Sequence, residues 1–248
     1  MSLKEFFTEY PRVAVAFSGG VDSAYLLYVA KKYAKKVCAY YVKSHFQPQF
    51  ELDDAIKLAK QLDVEVKIIN LDILSVPFVK ENPENRCYYC KKAIFSAIIN
   101  EAKKDRYTVL IDGTNASDDE NDRPGVKALR ELSVLSLLKE CGLTKMDIRK
   151  ESKEAGLFTW DKPAYACLAT RVATGEELTV EKLSATECAE DYLHSLGFTD
   201  FRIRLKDGVG KIQINEAQMP KLLENRKGIL EFLKKYYNSV VLDLEVRG

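Results

Sequence analysis

Apolar and polar positions alternate between two periods along the first half of the chain. Arg12 to Phe17 is a short apolar run that predicts a buried strand, and after a Gly-containing turn Val21 to Tyr33 carries a helical pattern. The rhythm then repeats. Lys36 to Val42 reads as a strand, Phe50 to Leu62 as a helix, Val64 to Asn70 as a strand, Lys91 to Lys103 as a helix and Tyr107 to Asp112 as a strand. Strands alternating with helices predict an α/β fold: a doubly wound parallel sheet with helices on both faces. Past about Ala173 the pattern changes to a helix (Thr179 to Leu196), two strands (Phe201 to Leu205 and Gly210 to Ile214), another helix and a last strand. The Asp207-Gly208 pair between those two strands signals a hairpin. The expected division is therefore a sheet domain over 1–172 and a small α+β domain over 173–248, with Trp160 to Gly175 joining them.

Composition narrows the class. A chain of 248 residues with 46% hydrophobic and 30% charged residues has the profile of a soluble protein, and no apolar run approaches the length of a membrane span. Charge near Met1 argues against a signal peptide, so the expected location is cytoplasmic, with no membrane partner. Lys plus Arg number 38 against 37 Asp plus Glu, which advertises no polyanionic partner and counts against nucleic acid.

The strand ending at Phe17 runs into Ser18-Gly19-Gly20-Val21-Asp22-Ser23 and then a helix. Two glycines, a helix N-terminus and the hydroxyls of Ser18 and Ser23 around one point make an anion site. Asp22 would repel a polyphosphate, so its presence makes sense with a hard cation, Mg2+, between them. The plain alternative is a strand-to-helix turn with an Asp or Ser cap. The Gly-Lys-Ser/Thr element of a Walker loop is missing. The hexapeptide closely resembles the PP-loop of ATP pyrophosphatases, a superfamily with an adenine nucleotide alpha hydrolase-like (HUP) fold. That resemblance implies ATP cleaved between its α- and β-phosphates, a substrate oxygen adenylated, and AMP displaced by nitrogen or sulfur.

Six cysteines in a reducing compartment are expected to be packed, catalytic or metal-bound. Cys38, Cys141 and Cys188 read as small packed hydrophobes. Cys87 and Cys90 open a helical stretch three residues apart, so both sulfurs share a face and could address one metal. Such a pair alone fits structural zinc, a redox dithiol, an iron-sulfur cluster or packing. Cys167 lies in Trp160-Asp161-Lys162-Pro163-Ala164-Tyr165-Ala166-Cys167-Leu168-Ala169-Thr170-Arg171.

That segment, together with Asp112-Gly113-Thr114-Asn115-Ala116-Ser117-Asp118-Asp119 and Arg123-Pro124-Gly125, resembles the LarE family from Arg12 to Glu245. Its members are ATP-dependent sulfur transferases that make the nickel-pincer nucleotide cofactor. The resemblance implies a small-molecule substrate, pyridinium-3,5-biscarboxylic acid mononucleotide, whose carboxylates are adenylated and become thiocarboxylates. It makes Cys167 the sulfur-bearing cysteine. In one branch this cysteine is sacrificed and becomes dehydroalanine. In another, which shares the additional Cys-x-x-Cys of this sequence, Cys87, Cys90 and Cys167 would hold a 4Fe-4S cluster that accepts sulfide or another sulfur source. Three cysteines leave one iron open for an extra sulfide. Zinc would need a fourth ligand, for which only His45 and His194 offer imidazoles, neither at ligand-like spacing.

The same resemblance places Asn115 and Asp119 with the nucleotide, assigns Arg202 and Arg204, which share a strand face, to the substrate phosphate, and puts Glu190 and Arg171 beside the reactive cysteine. It also implies a homo-oligomer, a trimer or hexamer, in which the C-terminal domain binds substrate or mediates assembly. The chain departs from the family at Gln213, where relatives have Glu, at Val172-Ala173-Thr174-Gly175, and at Ser117. The rival readings are a tRNA thiolase, an ammonia-using synthetase that leaves the cysteines idle, and a nucleotide sensor that releases no pyrophosphate.

Overall fold

A computed structural model describes residues 2–118 and 124–245. Contacts divide the chain into two compact units. The first comprises 1–76 and 85–165, the second 77–84 and 166–248. The division thus falls after Tyr165 rather than after Val172. Two sets of bonds explain this. Val172 bridges to Leu205 in parallel, with Ala173 N donating to Leu205 O at 3.0 Å. Asn82 donates to the carbonyls of Val172 and Ala173 at 3.4 and 2.8 Å, which ties 77–84 to the second unit.

In the first unit the strands β1 (Arg12–Ala16), β2 (Lys36–Lys43), β3 (Val66–Asn70) and β4 (Leu110–Ile111) form an all-parallel sheet in the order β3-β2-β1-β4. Period-2 alternation sends Val13, Val15, Ala39 and Tyr41 to one face, where they pack against α1 (Leu3–Glu9), α2 (Val21–Tyr33), α3 (Gln49–Gln61) and α7 (Lys145–Glu154). Ala14, Cys38, Tyr40 and Val42 go to the other, under α4 (Arg86–Lys104) and α5 (Pro124–Glu131). Both faces are buried, as parallel sheets require. A short α6 (Leu137–Glu140) follows the parallel bridge of Leu135 to Ile111.

The expected α/β doubly wound class is the observed one. Its last strand is shorter than Tyr107 to Asp112, because only Leu110 and Ile111 enter the ladder. The Cys-x-x-Cys helix starts at Arg86, and α1 is an element that the apolar pattern did not signal; a Ser2/Glu5 capping box begins it.

The second unit contains α8 (Val180–Ser195), β5 (Arg202–Lys206), β6 (Val209–Gln213), α9 (Met219–Glu224), α10 (Arg226–Leu233) and β7 (Ser239–Leu242). Its sheet runs β5-β6-β7, antiparallel at the hairpin and parallel at β6-β7. Asp207 and Gly208 both take positive φ (50° and 76°), as the hairpin turn requires. Tyr192 stacks on Phe232 at 4.0 Å, joining α8 to α10.

Of the cysteines expected to pack, Cys38 is buried and Cys141 packs against the edge of the first unit's core. Cys188 is exposed on α8, beside the Tyr236 hydroxyl, so packing does not account for it. Helical position alone did not distinguish the outward face of α8. Among the described residues no helix is long and apolar enough to cross a membrane.

Candidate active site

In an open parallel sheet the ligand site lies past the carboxyl ends of the strands where the strand order reverses. Here that point falls between β1 and β4, and a cavity of about 290 Å³ opens there. Ala16, Ser18, Gly20, Asp22 and Ser23 line it from β1 and α2, Asp112, Gly113, Thr114 and Asp118 from the segment after β4, and Lys91 and Phe95 from α4.

The loop is held by its own hydroxyls. Ser18 N donates to Ser23 Oγ (3.2 Å), the two hydroxyls lie 3.1 Å apart, and Ser23 Oγ donates to Gly20 O (3.1 Å). Gly19 adopts φ +76°, and a β-carbon there would stand 3.2 Å from Glu51 O and Ala55 Cβ. The N-cap of α2 is Gly20, with no side-chain cap bond. Neither Asp22 nor Ser23 caps the helix, so the turn is not the Asp- or Ser-capped one of the plain alternative.

Asp22 carries two further features. Its Oδ2 pairs with Lys145 Nζ at 2.5 Å, and its Oδ1 is buried with no hydrogen-bond partner among the described residues. Asp112 is buried against the same cavity, where its oxygens accept from Thr114 Oγ1 (2.5 Å) and Ser136 Oγ (2.8 Å). Burial pushes its carboxyl above the usual range, opposed by those hydroxyls and the nearby Lys91. The carboxylates of Asp22 and Asp118 also line the cavity, and magnesium is commonly held by one or two carboxylates together with substrate phosphates.

Asn115 does not line the cavity. Its side-chain Oδ1 accepts from Ser117 N (2.9 Å) and its own N donates to Asp118 Oδ2 (3.1 Å), so it shapes the loop that presents Asp118. Asp119 lies outside the described residues.

Cys87 is exposed and Cys90 half-buried in the first turns of α4, with Arg86 Nη2 donating to Cys87 Sγ at 3.8 Å. Their i,i+3 spacing on a helix satisfies one requirement for sharing an iron-sulfur cluster. Among the described residues no group of three or more His, Cys, Asp or Glu side chains is arranged to hold a metal ion.

In the second unit Cys167 is half-buried at the start of a 3-10 turn over Leu168–Arg171. Its carbonyl accepts from Thr170 N (2.9 Å) and Thr170 Oγ1 (2.8 Å). Arg171 and Glu190 are buried and bonded to each other, and Arg171 Nη1 also donates to Ala166 O at 2.9 Å. Arg171 thus reaches the carbonyl of Ala166, the residue before Cys167, and Glu190 bonds Arg171 and the amide of Ile203. Arg202 and Arg204 share one face of β5. Arg204 donates to Gln213 Oε1 (2.7 Å) and Thr170 O (2.9 Å), and Gln213 Nε2 in turn donates to Asp243.

Sequence reasoning did not place Lys91, Phe95, Asp112 to Thr114 or Asp118 at the cavity, nor Lys145, which bonds Asp22 without lining it. Topology would have found the segment after β4, because it follows the strand adjacent to β1 on the side away from β2. Lys145 carried no sequence signal.

Comparison with known proteins bears on this geometry. The family described as Queuosine biosynthesis protein QueC matches residues 12–80, the stretch that holds β1, the loop and α2. The pyridinium-3,5-bisthiocarboxylic acid mononucleotide synthase of Lactiplantibacillus plantarum is 35% identical over 236 residues, 94% of this chain and 86% of that protein. An uncharacterized protein of Synechocystis sp. is 34% identical over 250 residues, 98% of this chain and 92% of that one. The tRNA-specific 2-thiouridylase MnmA 2 of Clostridium botulinum is 25% identical over 182 residues, 60% of this chain and 52% of that enzyme. With a loop-bearing sheet of the PP-loop kind and a synthase relative matched over nearly its whole length, the chain belongs to the LarE family and is an ATP-dependent sulfurtransferase.

Proposed function

We propose that the chain adenylates a carboxylate of pyridinium-3,5-biscarboxylic acid mononucleotide and converts it to a thiocarboxylate. The observation that carries the ATP half is the self-bonded loop at the β1/β4 switch point, whose residues Ser18, Gly20, Asp22 and Ser23 line one cavity, with a buried oxygen of Asp22 left without a hydrogen-bond partner among the described residues. A substrate carboxylate oxygen attacks the α-phosphorus and the bond to the β-phosphate bridge breaks. Pyrophosphate leaves into the loop, where the first amides of α2 stabilise its charge, and Asp22 would hold a Mg2+ that supplies further charge neutralisation. A sulfur nucleophile then adds to the acyl carbon and expels AMP. The mononucleotide's phosphate suits Arg202 and Arg204, since a strand face with two guanidiniums makes charge-assisted contacts to phosphate oxygens.

For sulfur delivery we infer a 4Fe-4S cluster on Cys87, Cys90 and Cys167. When bound, it supplies an open iron site that carries a replaceable sulfide. Support comes from the helical spacing of Cys87 and Cys90, their accessibility, and a Cys167 whose backbone is fixed while its side chain stays half-exposed. Sacrifice of Cys167 is the alternative route to the same product. The enzyme is inferred to work in the cytoplasm as a homo-oligomer.

The test is anaerobic purification with iron and acid-labile sulfide analysis, followed by reaction with Mg·ATP and the mononucleotide. AMP, pyrophosphate, thiocarboxylate and an intact Cys167 are expected. ADP and phosphate would overturn the ATP assignment. An iron-free protein carrying dehydroalanine at 167 would replace the cluster with sacrifice. The partial likeness to a 2-thiouridylase makes thiolation of a tRNA base the second reading; it predicts binding to tRNA that falls steeply with salt.

A further inference from the structure

The helix α7 carries three cations at i,i+4 spacing, Lys145, Arg149 and Lys153, which places them along one side. Each has a specific partner within the first unit. Lys145 Nζ bonds Asp22 of the phosphate loop at 2.5 Å. Arg149, four residues on, donates Nη1 to Trp160 O at 2.7 Å and Nη2 to Lys162 O at 2.9 Å. Lys153 Nζ lies 4.5 Å from the centre of the Trp160 ring.

The segment so held is the strap Trp160-Asp161-Lys162, which leads in sequence to Cys167. Its other contacts also belong to the first unit. Lys162 Nζ bonds Asp54 Oδ2 on α3 at 2.6 Å and lies over the Phe50 ring at 5.5 Å, and Phe50 packs edge-on against Tyr165 at 5.0 Å. Internally the strap has only two turn bonds, Trp160 N to Leu157 O (3.2 Å) and Lys162 N to Thr159 O (3.1 Å). A guanidinium that reads two carbonyls two residues apart therefore fixes a backbone that has no ladder or helix of its own. A fork of fixed geometry does this where an ammonium would not.

Helix stability accounts for Lys153, in the last turn of α7, but not for Lys145. Lys145 stands at the first position of α7, where positive charge opposes the helix dipole, and Asp147 already closes the capping box with Thr144. The placement makes sense if α7 connects what lies at its two ends.

We propose that α7 is a strut between the phosphate loop and the strap, and that Arg149 is a positioning residue for the sulfur-transfer step. Lys145 registers the N-terminus of α7 on Asp22, and Arg149 sets the strap that leads to Cys167 from the same rigid helix. Arg149 touches neither nucleotide nor sulfur. Removing it leaves adenylation intact and loosens the strap that precedes Cys167 in sequence. This inference rests on the sulfur-transfer reading above.

The test uses the full chain with Arg149→Met and Arg149→Lys. Pyrophosphate exchange into ATP, with the mononucleotide present, reports adenylation. It should stay within about twofold, while thiocarboxylate formation falls roughly tenfold to a hundredfold, the range that an ångström-scale misplacement produces. Arg149→Lys should lie between, and it keeps the test available where Met at 149 fails to fold. Amide hydrogen exchange at Trp160 and Lys162 should accelerate in both variants, with the sheet unchanged. Sulfur transfer at the wild-type rate, equal losses in both steps, or unchanged exchange at Trp160 and Lys162 would each overturn the proposal. A wild-type protein that forms no thiocarboxylate would instead refute the functional reading, and the amide exchange would still decide the role of Arg149.

Discussion

Arg171 and Glu190 form a two-pronged ion pair sealed inside the second unit: Nε to Oε1 at 2.8 Å, Nη2 to Oε2 at 3.0 Å, with side chains 1% and 3% exposed. Glu190 Oε1 also accepts from Ile203 N at 3.0 Å, so the pair joins the Cys167 turn, α8 and β5. Glu190→Ala would leave a buried guanidinium without its carboxylate, which costs about 3–5 kcal/mol, a large part of a domain's net stability. Glu190→Gln keeps one acceptor and should cost less. Urea denaturation followed by circular dichroism measures both. Equal and small losses for the two variants would show that the pair is not holding the turn.

Gly113 sits where the segment after β4 meets the start of α2. A β-carbon there would stand 2.8 Å from Ser23 N and 3.1 Å from Ser23 Cα, and these are backbone atoms that cannot rotate aside. Gly113→Ala must push the two segments apart at the phosphate loop. Overpacking of this kind costs about 1–3 kcal/mol. The expected result is a lower melting temperature together with weaker ATP binding by calorimetry. Unchanged ATP affinity would mean that the loop tolerates the shift.

These two sites differ in how they could be read beforehand. The loop at Ser18 to Ser23 was legible because one glycine-rich turn must follow one strand, and α2 starts at Val21 as its apolar pattern implied. The sheet was legible because β1 and β2 are buried on both faces and so are nearly continuous in apolar residues, while the edge strand β3 keeps only a partly buried apolar set. Arg171 and Glu190 were flagged by resemblance, but their role was not: spacing along a chain does not reveal that residues 19 apart bury each other. Gly113 and Lys145 depend on contacts between segments distant in sequence, which no local pattern records. Arg204 was read as a phosphate ligand, and only the fold shows its side chain also held by Gln213 and the Thr170 carbonyl.

Asp112 gives the cavity a pH signature. Burial raises its carboxyl above the ordinary 3.8, so the native protein holds that proton more tightly than the unfolded chain does. The associated stability is present below the unfolded value and is lost as pH rises through the raised native value. Above that raised value the buried Asp112 carboxylate therefore weakens the fold. Asp112→Asn should be more stable than the wild type at pH 7, with Thr114 and Ser136 hydroxyls still able to bond the amide. The two stability curves should converge on acidification toward the unfolded value. Thermal melts between pH 4 and pH 8 measure this, and an Asn variant less stable than the wild type at pH 7 would refute it. Loss of ATP binding with gain of stability is the expected trade at a site built for a ligand.

Lys145 and Asp22 test the electrostatics of the loop itself. Their side chains are 34% and 24% exposed, and an ion pair so placed contributes at most about 1 kcal/mol to folding. Lys145→Met should therefore change the melting temperature little. Its effect on nucleotide binding should be larger, because the Asp22 carboxylate would then face the phosphates with its nearest cation removed. A lost charge-assisted contact of about 1.5–3 kcal/mol corresponds to roughly a tenfold to hundredfold rise in KM for ATP. Added Mg2+ should recover part of that loss, since a divalent cation on Asp22 supplies the charge that Lys145 no longer does. Initial rates of pyrophosphate release, measured against ATP at several magnesium concentrations, separate the outcomes. A KM that rises and then falls with magnesium supports the charge-balance role of Lys145, and a KM indifferent to the substitution at every magnesium concentration removes it.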